Sequence, residues 1–285
     1  MPAAKKKIAS SQPLRAPNLA KLPWLVHAFS TRADGSLGFT EESTPAAVRR
    51  NRAKFLRAVA GKGKAQELIT LKQIHSDVIH RLNAPPTRPL KGDGLITNTP
   101  GLLLSIQTAD CLPILLVDPT NRAIGAFHAG WRGTLARIAE KGVGLMRQHF
   151  GSRAQDLVAA IGPGIHGCCY KVGREVREKF DSRFAYAAEL FHDSQESDPV
   201  REKYPLLFMT ARAPGHSELA PSIYLDLVKA NLRQLKDAGL RAANIHASPL
   251  CTACHTEMLF SHRAEEGKTG RMLAVIGIQG RRVRG

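Results

Sequence analysis

Cys111, His128 and His75 are the residues of this chain best suited to chemistry. Thiolate sulfur and imidazole nitrogen act as nucleophiles, proton carriers and ligands for zinc or copper, so their placement decides which chemistry is open. Cys111 follows Asp110 and precedes Leu-Pro-Ile-Leu-Leu-Val, an apolar run that reads as a fully covered strand. His128 closes a second apolar run and is followed by Ala-Gly-Trp-Arg-Gly-Thr, whose glycines permit a tight turn into a helix. Asp118-Pro-Thr-Asn reads as the turn between the runs, which places the thiol and the imidazole at one edge of a sheet. His75, expected within the strand region Leu68 to Ile79, is a third candidate ligand. The separations are too long for a local finger, so two readings stay open. One is a shared metal site; the other is a half-buried Cys with histidines hydrogen-bonded at strand ends.

Two further groups carry signals. Cys251-Thr-Ala-Cys254-His255 has the spacing of a thiol chelate, while the adjacent Cys168 and Cys169 are badly spaced to supply a second pair. Five cysteines are an odd number, which argues for thiols or metal ligands over a disulfide framework. Arg32, Arg132, Arg263 and Arg271 stand in glycine-containing loops beside strands, where guanidinium groups can fork onto phosphate.

The elements that must position these residues alternate along the chain. Residues 1–23 are polar and basic and read as a flexible lead-in; Trp24 begins an alternating strand that ends in the Arg32 loop. A helix is expected from Thr44-Pro45 to Gly61, and Gly92-Asp93-Gly94 forms a turn. One helix is read from Gly133 to Phe150 and another from Val172 to Phe180. Leu157 to Ile161 and Met272 to Ile278 are buried strands, and Tyr224 to Ala238 is a helix stopped by Gly239. Residues 181–221 have no readable period. With no dividing linker, residues 24–280 are expected to form a single domain, followed by the basic tail 281–285.

Composition narrows the class. Hydrophobic residues at 43% and charged residues at 23% are ordinary for a globular protein of 285 residues. No apolar run reaches the ~20 residues of a membrane span, and no apolar segment follows the early lysines, so a cytoplasmic protein is expected. The net charge of +17 raises nucleic acid as a partner, but much of it lies in the tails, the rest is scattered along helices, and no aromatic residues are interleaved with it. The same charge suits a small anionic substrate.

Thr108-Ala-Asp-Cys-Leu-Pro-Ile-Leu, His128-Ala-Gly-Trp-Arg-Gly-Thr, Ile161-Gly-Pro-Gly-Ile and Phe260-Ser-His-Arg with Thr269-Gly-Arg-Met together resemble the YfiH family. That family is also called the polyphenol oxidase or laccase-domain family and is described as purine nucleoside phosphorylases. The resemblance runs from about His27 to Ile278. It implies an α/β (α+β) fold, a single-domain layered sandwich with mixed sheets. It also implies a zinc site held by His75, Cys111 and His128; copper is the less favoured metal, because eleven scattered histidines without His-x-His pairs do not supply a multi-histidine copper cluster.

The implied activity is phosphorolysis of adenosine, inosine, guanosine and methylthioadenosine, with adenosine deamination beside it. The expected partners are therefore a purine nucleoside and phosphate, and the chain is expected to be a monomer with no membrane or nucleic-acid partner. Asp93 and Asp110 are assigned acid/base or supporting roles beside Cys111, and Arg32, Gln73, Arg132 and Arg263 substrate contacts. Two departures bear on the pocket: the loop Thr31-Arg-Ala-Asp-Gly-Ser-Leu-Gly is altered and shortened, and Lys171 stands where relatives often carry Glu. Three other readings compete: a Cys111/His128 hydrolase or amidase, a copper-dependent phenol oxidase, and a nucleic-acid-binding protein.

Overall fold

The computed structural model describes residues 13–60, 66–194, 203 and 221–279. The chain divides into two compact units, Met1–Ile165 with Leu227–Gly285, and His166–Asp226.

The first unit is built on two sheets. One has the order β1 (Leu25–Phe29), β15 (Met272–Ile278), β7 (Leu102–Thr108), β2 (Glu67–Ile69), with only the β2–β7 pair parallel. The other runs β14 (Ile245–Ala247), β10 (Val158–Ile161), β8 (Leu112–Asp118), β9 (Ala123–Ala129), β6 (Gly94–Thr97), β4 (Ile79–Arg81). Its two outer pairs are parallel and its three inner pairs antiparallel. The short strands β3 (Leu71–Lys72) and β5 (Leu90–Lys91) form a separate parallel pair.

The strand period of two sorts the side chains into layers. Leu104, Ile106, Ala274 and Ile276 of the first sheet share one core with Leu115, Val117, Ile124 and Ala126 of the second. The intervening residues Leu103, Leu273 and Val275 point the other way, against Phe55 and Val59 of α1 (Pro45–Ala60). On the far side, α3 (Ile138–Phe150) lies over β9 and β6 and packs on α5 (Leu227–Asp237). Gly142 allows this approach, since a Cβ there would stand 2.6 Å from the buried Phe127 ring. The result is a layered α/β sandwich with mixed sheets. No described helix is long and apolar enough to cross a membrane.

The second unit contains β11 (Lys171–Val172), β12 (Phe191–Ser194) and β13 (Ser222–Leu225) in the order β11-β13-β12, with α4 (Arg174–Asp181). Phe180, Phe184 and Phe191 form its aromatic core.

Several expectations shift. The lead-in assigned to residues 1–23 is structured from residue 13. Leu14 bridges Phe29, Leu19 is fully buried, and the Asn18 amide donates to the carbonyls of Ala159 and Asn244. The helix read from Gly133 to Phe150 is two helices, α2 (Trp131–Leu135) and α3, because Arg137 adopts a left-handed φ of 62° between them. Tyr224 belongs to β13, and the helix after it begins at Leu227. The tail 281–285 lies outside the described residues.

His27 in β1 pins this segment: its Nε2 accepts the Ala16 N–H at 3.0 Å, and the ring is 1% exposed. Burial first, and the nearby Arg15 charge second, push its pKa down to about 4. The unfolded chain therefore takes up a proton that the folded chain refuses, and stability present above the ordinary histidine pKa is lost as pH falls toward 4. Between about pH 7 and about pH 5, wild type should lose roughly 2 kcal/mol relative to His27→Gln in denaturant unfolding. Equal pH slopes for the two proteins would contradict this.

Candidate metal centre

The β8–β9 hairpin builds one end of the site. Its register pairs Leu112 with Ala129 and Pro113 with His128, so Cys111, just before β8, meets His128 near the end of β9. The Asp118 carboxylate caps the turn at the other end by accepting the N–H groups of Thr120 and Asn121. Asp93 arrives at the same edge because it immediately precedes β6, the other neighbour of β9. Its carbonyl accepts the His128 N–H at 2.7 Å.

His75 departs from expectation. It does not sit in a strand but in the loop after β3, with a left-handed φ of 57°. The Asp93 carboxylate explains that placement. It accepts N–H groups from Ile74, His75 and Ser76 at 3.2, 3.0 and 2.7 Å, and the Ser76 hydroxyl at 2.7 Å. The same carboxylate accepts Nδ1 of His128 at 2.8 Å. One buried group thus fixes both histidines.

The Cys111 sulfur and one nitrogen from each of His75 and His128 lie within 4.8 Å of one another. The two rings meet edge to face at 74°, centroids 4.9 Å apart. With Nδ1 committed to Asp93, Nε2 is the nitrogen of His128 left for the thiol. Gly130 makes room, since a Cβ there would stand 2.8 Å from the sulfur and 3.4 Å from Cδ2 of His75.

Charge is polarised across the trio. Burial alone would push the Cys111 thiol up, but His128 and then His75 bring it down to about 6. Burial opposes protonation of His128, which the Cys111 thiolate and Asp93 nonetheless hold at about 9. Burial likewise works against the Asp93 carboxylate, yet hydrogen bonds from His128 and Ser76 keep it well below the usual carboxylate range. The pocket that holds a proton between thiolate and imidazole is equally a pocket for a cation.

Asp110 acts as a clamp. It carries a left-handed φ of 97°, a conformation costing about 1–3 kcal/mol for a residue other than glycine. Its carboxylate accepts the hydroxyls of Thr252 and Ser261 at 2.6 and 2.7 Å and the Arg263 N–H at 2.7 Å. Both carboxylates assigned acid/base roles are therefore occupied as acceptors. Gln73 is also committed: its amide exchanges two 2.8 Å hydrogen bonds with the Gln107 backbone, tying the His75 loop to β7.

The arginines divide. Arg32 is paired with Glu265 at 2.7 Å, donates to the Leu259 carbonyl, and lies 4.4 Å over the Phe260 ring. It borders a cavity of about 470 Å³ that also includes Asn51, Lys268 and Thr269, but none of His75, Cys111 and His128. Arg271 caps the carbonyls of Thr269 and Gly270. Arg132 and Arg263 are exposed; Arg132 lies over the Trp131 ring.

Residues 27–279 match the family described as multi-copper polyphenol oxidoreductase laccase. The chain belongs to this family. Among its relatives is a purine nucleoside phosphorylase of Deinococcus radiodurans, 36% identical over 278 residues, which cover 93% of this chain and 92% of that protein. The purine nucleoside phosphorylase YlmD of Geobacillus stearothermophilus is 39% identical over 186 residues, covering 65% of this chain and 59% of the relative. The crystal structure of YlmD from the same organism superposes with a TM-score of 0.74 at 29% identity, covering 95% of this chain and 98% of that one. Bacillus licheniformis hypothetical protein YfiH gives a TM-score of 0.74 at 28% identity, covering 90% and 93%. The layered α/β fold with mixed sheets expected from the family resemblance is the one observed.

Residue patterns alone missed Ser76, Thr252, Ser261 and Glu265, the groups that orient those named above. Ser76 was findable as a hydroxyl beside a candidate ligand; the others act across long sequence separations.

Asp93→Asn keeps the size of the side chain but loses the charge that holds Nδ1–H of His128. Zinc affinity, measured by competition with a chromophoric chelator, should fall about 10–100-fold. Unchanged affinity would show that Asp93 does not orient a ligand.

Proposed function

We propose that this chain is a zinc-dependent purine nucleoside phosphorylase acting on adenosine, inosine, guanosine and methylthioadenosine, with adenosine deaminase as a side activity. The observation that carries the reading is the convergence of one thiol and two imidazoles, backed by a buried carboxylate, in a chain whose relatives are named purine nucleoside phosphorylases.

The donor set fits zinc. One sulfur and two nitrogens are soft to borderline donors, ill matched to magnesium or calcium, and three protein ligands leave a coordination position open. Copper accepts the same donors, but multi-copper oxidation needs several coppers. Among the described residues, the trio is the one candidate ligand cluster that contains histidine, and three donors around one point would hold a single ion. The family's oxidase description therefore fits this chain less well than the names of its relatives.

Bound by His75, Cys111 and His128, zinc would supply Lewis acidity at the open end of the site. Asp93 holds the proton on Nδ1 of His128, keeping Nε2 available as a donor. Asp110 holds the 261–263 loop against the Cys111 strand end, which sets where Arg263 stands. Arg263 and Arg132, the exposed pair, hold the phosphate that attacks the ribose anomeric carbon as the bond to the purine breaks. Arg32, already neutralised by Glu265, supports the loop wall in place of the phosphate contact first assigned to it. Asp93 and Asp110 orient neighbours and carry no proton to the substrate. The same reading places the protein in the cytoplasm.

A second reading has one observation in its favour, the placement of the Cys111 thiol beside the His128 imidazole. A hydrolase would use the Cys111 thiolate as its nucleophile. The discriminating experiment sets purified wild type beside Cys111→Ala, with metal analysis and phosphate-dependent release of base from adenosine and inosine. Wild type should bind zinc at the trio and release base, and Cys111→Ala should lose that ion and about 100-fold or more in turnover. Unchanged turnover in a variant without bound zinc would sink the zinc-dependent mechanism. Rapid alkylation of Cys111 in the zinc-loaded protein would favour the hydrolase.

A further inference from the structure

The Cys251-Thr-Ala-Cys254 turn has no part in the chemistry above, yet it is held in place. Cys251 forms a parallel bridge with Gly164, and the Thr252 N–H donates to the Gly164 carbonyl at 3.0 Å. The Cys251 carbonyl accepts both the His255 N–H, at 3.2 Å, and the His255 ring at Nδ1, at 2.9 Å. The first of these closes an i to i+4 turn, which places residues three apart on one face, with Cβ atoms about 5–6 Å apart. Both sulfurs then lie on the same side, within 4.8 Å of each other. Zinc–sulfur bonds of about 2.3 Å at tetrahedral angles put two sulfurs about 3.8 Å apart, a spacing this turn accommodates.

We propose that Cys251 and Cys254 form a second metal site, a two-thiolate chelate for a thiophilic divalent cation of the zinc type. Each thiol gives up its proton to become a ligand, so two protons are released for each ion bound. The two thiolates supply half of the four donors of a structural zinc ion. The role is structural. Thr252 lies between the two ligands, is fully buried, and donates its hydroxyl to Asp110 at 2.6 Å. Asp110 is strained and adjoins Cys111, so an ion across the turn fixes the support of the first site from behind. The inference does not depend on the proposed enzymatic activity.

The test counts ions in untagged full-length protein, purified without chelators, by mass-spectrometric metal analysis. Wild type should carry about two zinc ions per chain, and Cys254→Ser, a change at an exposed position, about one. Cys111→Ala should also carry about one, and the double variant none. Cobalt substitution gives a second readout: thiolate-to-metal absorption should drop in Cys254→Ser while a single-thiolate band stays. A zinc content unchanged by Cys254→Ser would overturn the proposal, as would a Cys251–Cys254 disulfide seen by intact mass. If Cys254→Ser loses zinc but Cys111→Ala does not, the second site stands and the zinc assignment at the first falls.

Discussion

The Asp93 carboxylate ties together the parts of the site that the chain delivers separately. It is fully buried, and a buried charge without partners would cost several kcal/mol. Five donors offset that cost, four from residues 74–76 and one from the ring of His128. The left-handed backbone of His75 and the tautomer of His128 both follow from the same charge. Remove it, and the loop loses its anchor at the moment the second imidazole loses its orientation.

The sandwich supplies the rigidity this arrangement requires. β8 and β9 are buried over their whole lengths, and antiparallel pairing fixes their register to the residue, so the separation of Cys111 from His128 is not adjustable. A one-residue slip would turn the inward side chains of β9 outward, against a core that includes Ile124 and Ala126. Asp110 repeats the logic of Asp93 on the other side of the thiol. Its strained backbone is held by the Ile165 N–H at its carbonyl and three donors at its carboxylate. Two carboxylates therefore bracket Cys111, and each accepts several hydrogen bonds from the loops around it.

Legibility in the sequence followed the range of the interactions. The β8–β9 hairpin was readable because two apolar runs flank an Asp-Pro-Thr-Asn turn, and α1 because Thr44 and Pro45 mark its start. The break at Arg137 and the loop at His75 were not, because a left-handed non-glycine residue leaves no trace in composition. Leu14 and Leu19 were lost in a polar, basic stretch although each packs on the core, since isolated apolar residues have no period. Residue types offered the trio as candidate ligands, family resemblance favoured the metal reading, and geometry added why Asp93 and Gly130 accompany it. The phosphate role given to Arg32 could not be weighed from its loop alone, because its partner Glu265 lies far along the chain. Most of residues 195–220, where periodicity failed, lies outside the described residues.

The central claim is that His75, Cys111 and His128 hold one zinc ion with Asp93 behind His128. Anomalous diffraction across the zinc absorption edge, on crystals of protein purified without chelators, addresses it directly. The account predicts a zinc peak bonded to the Cys111 sulfur, Nε2 of His128 and a nitrogen of His75, with Nδ1 of His128 still on Asp93. A trio without zinc in protein that releases base from nucleosides would contradict it.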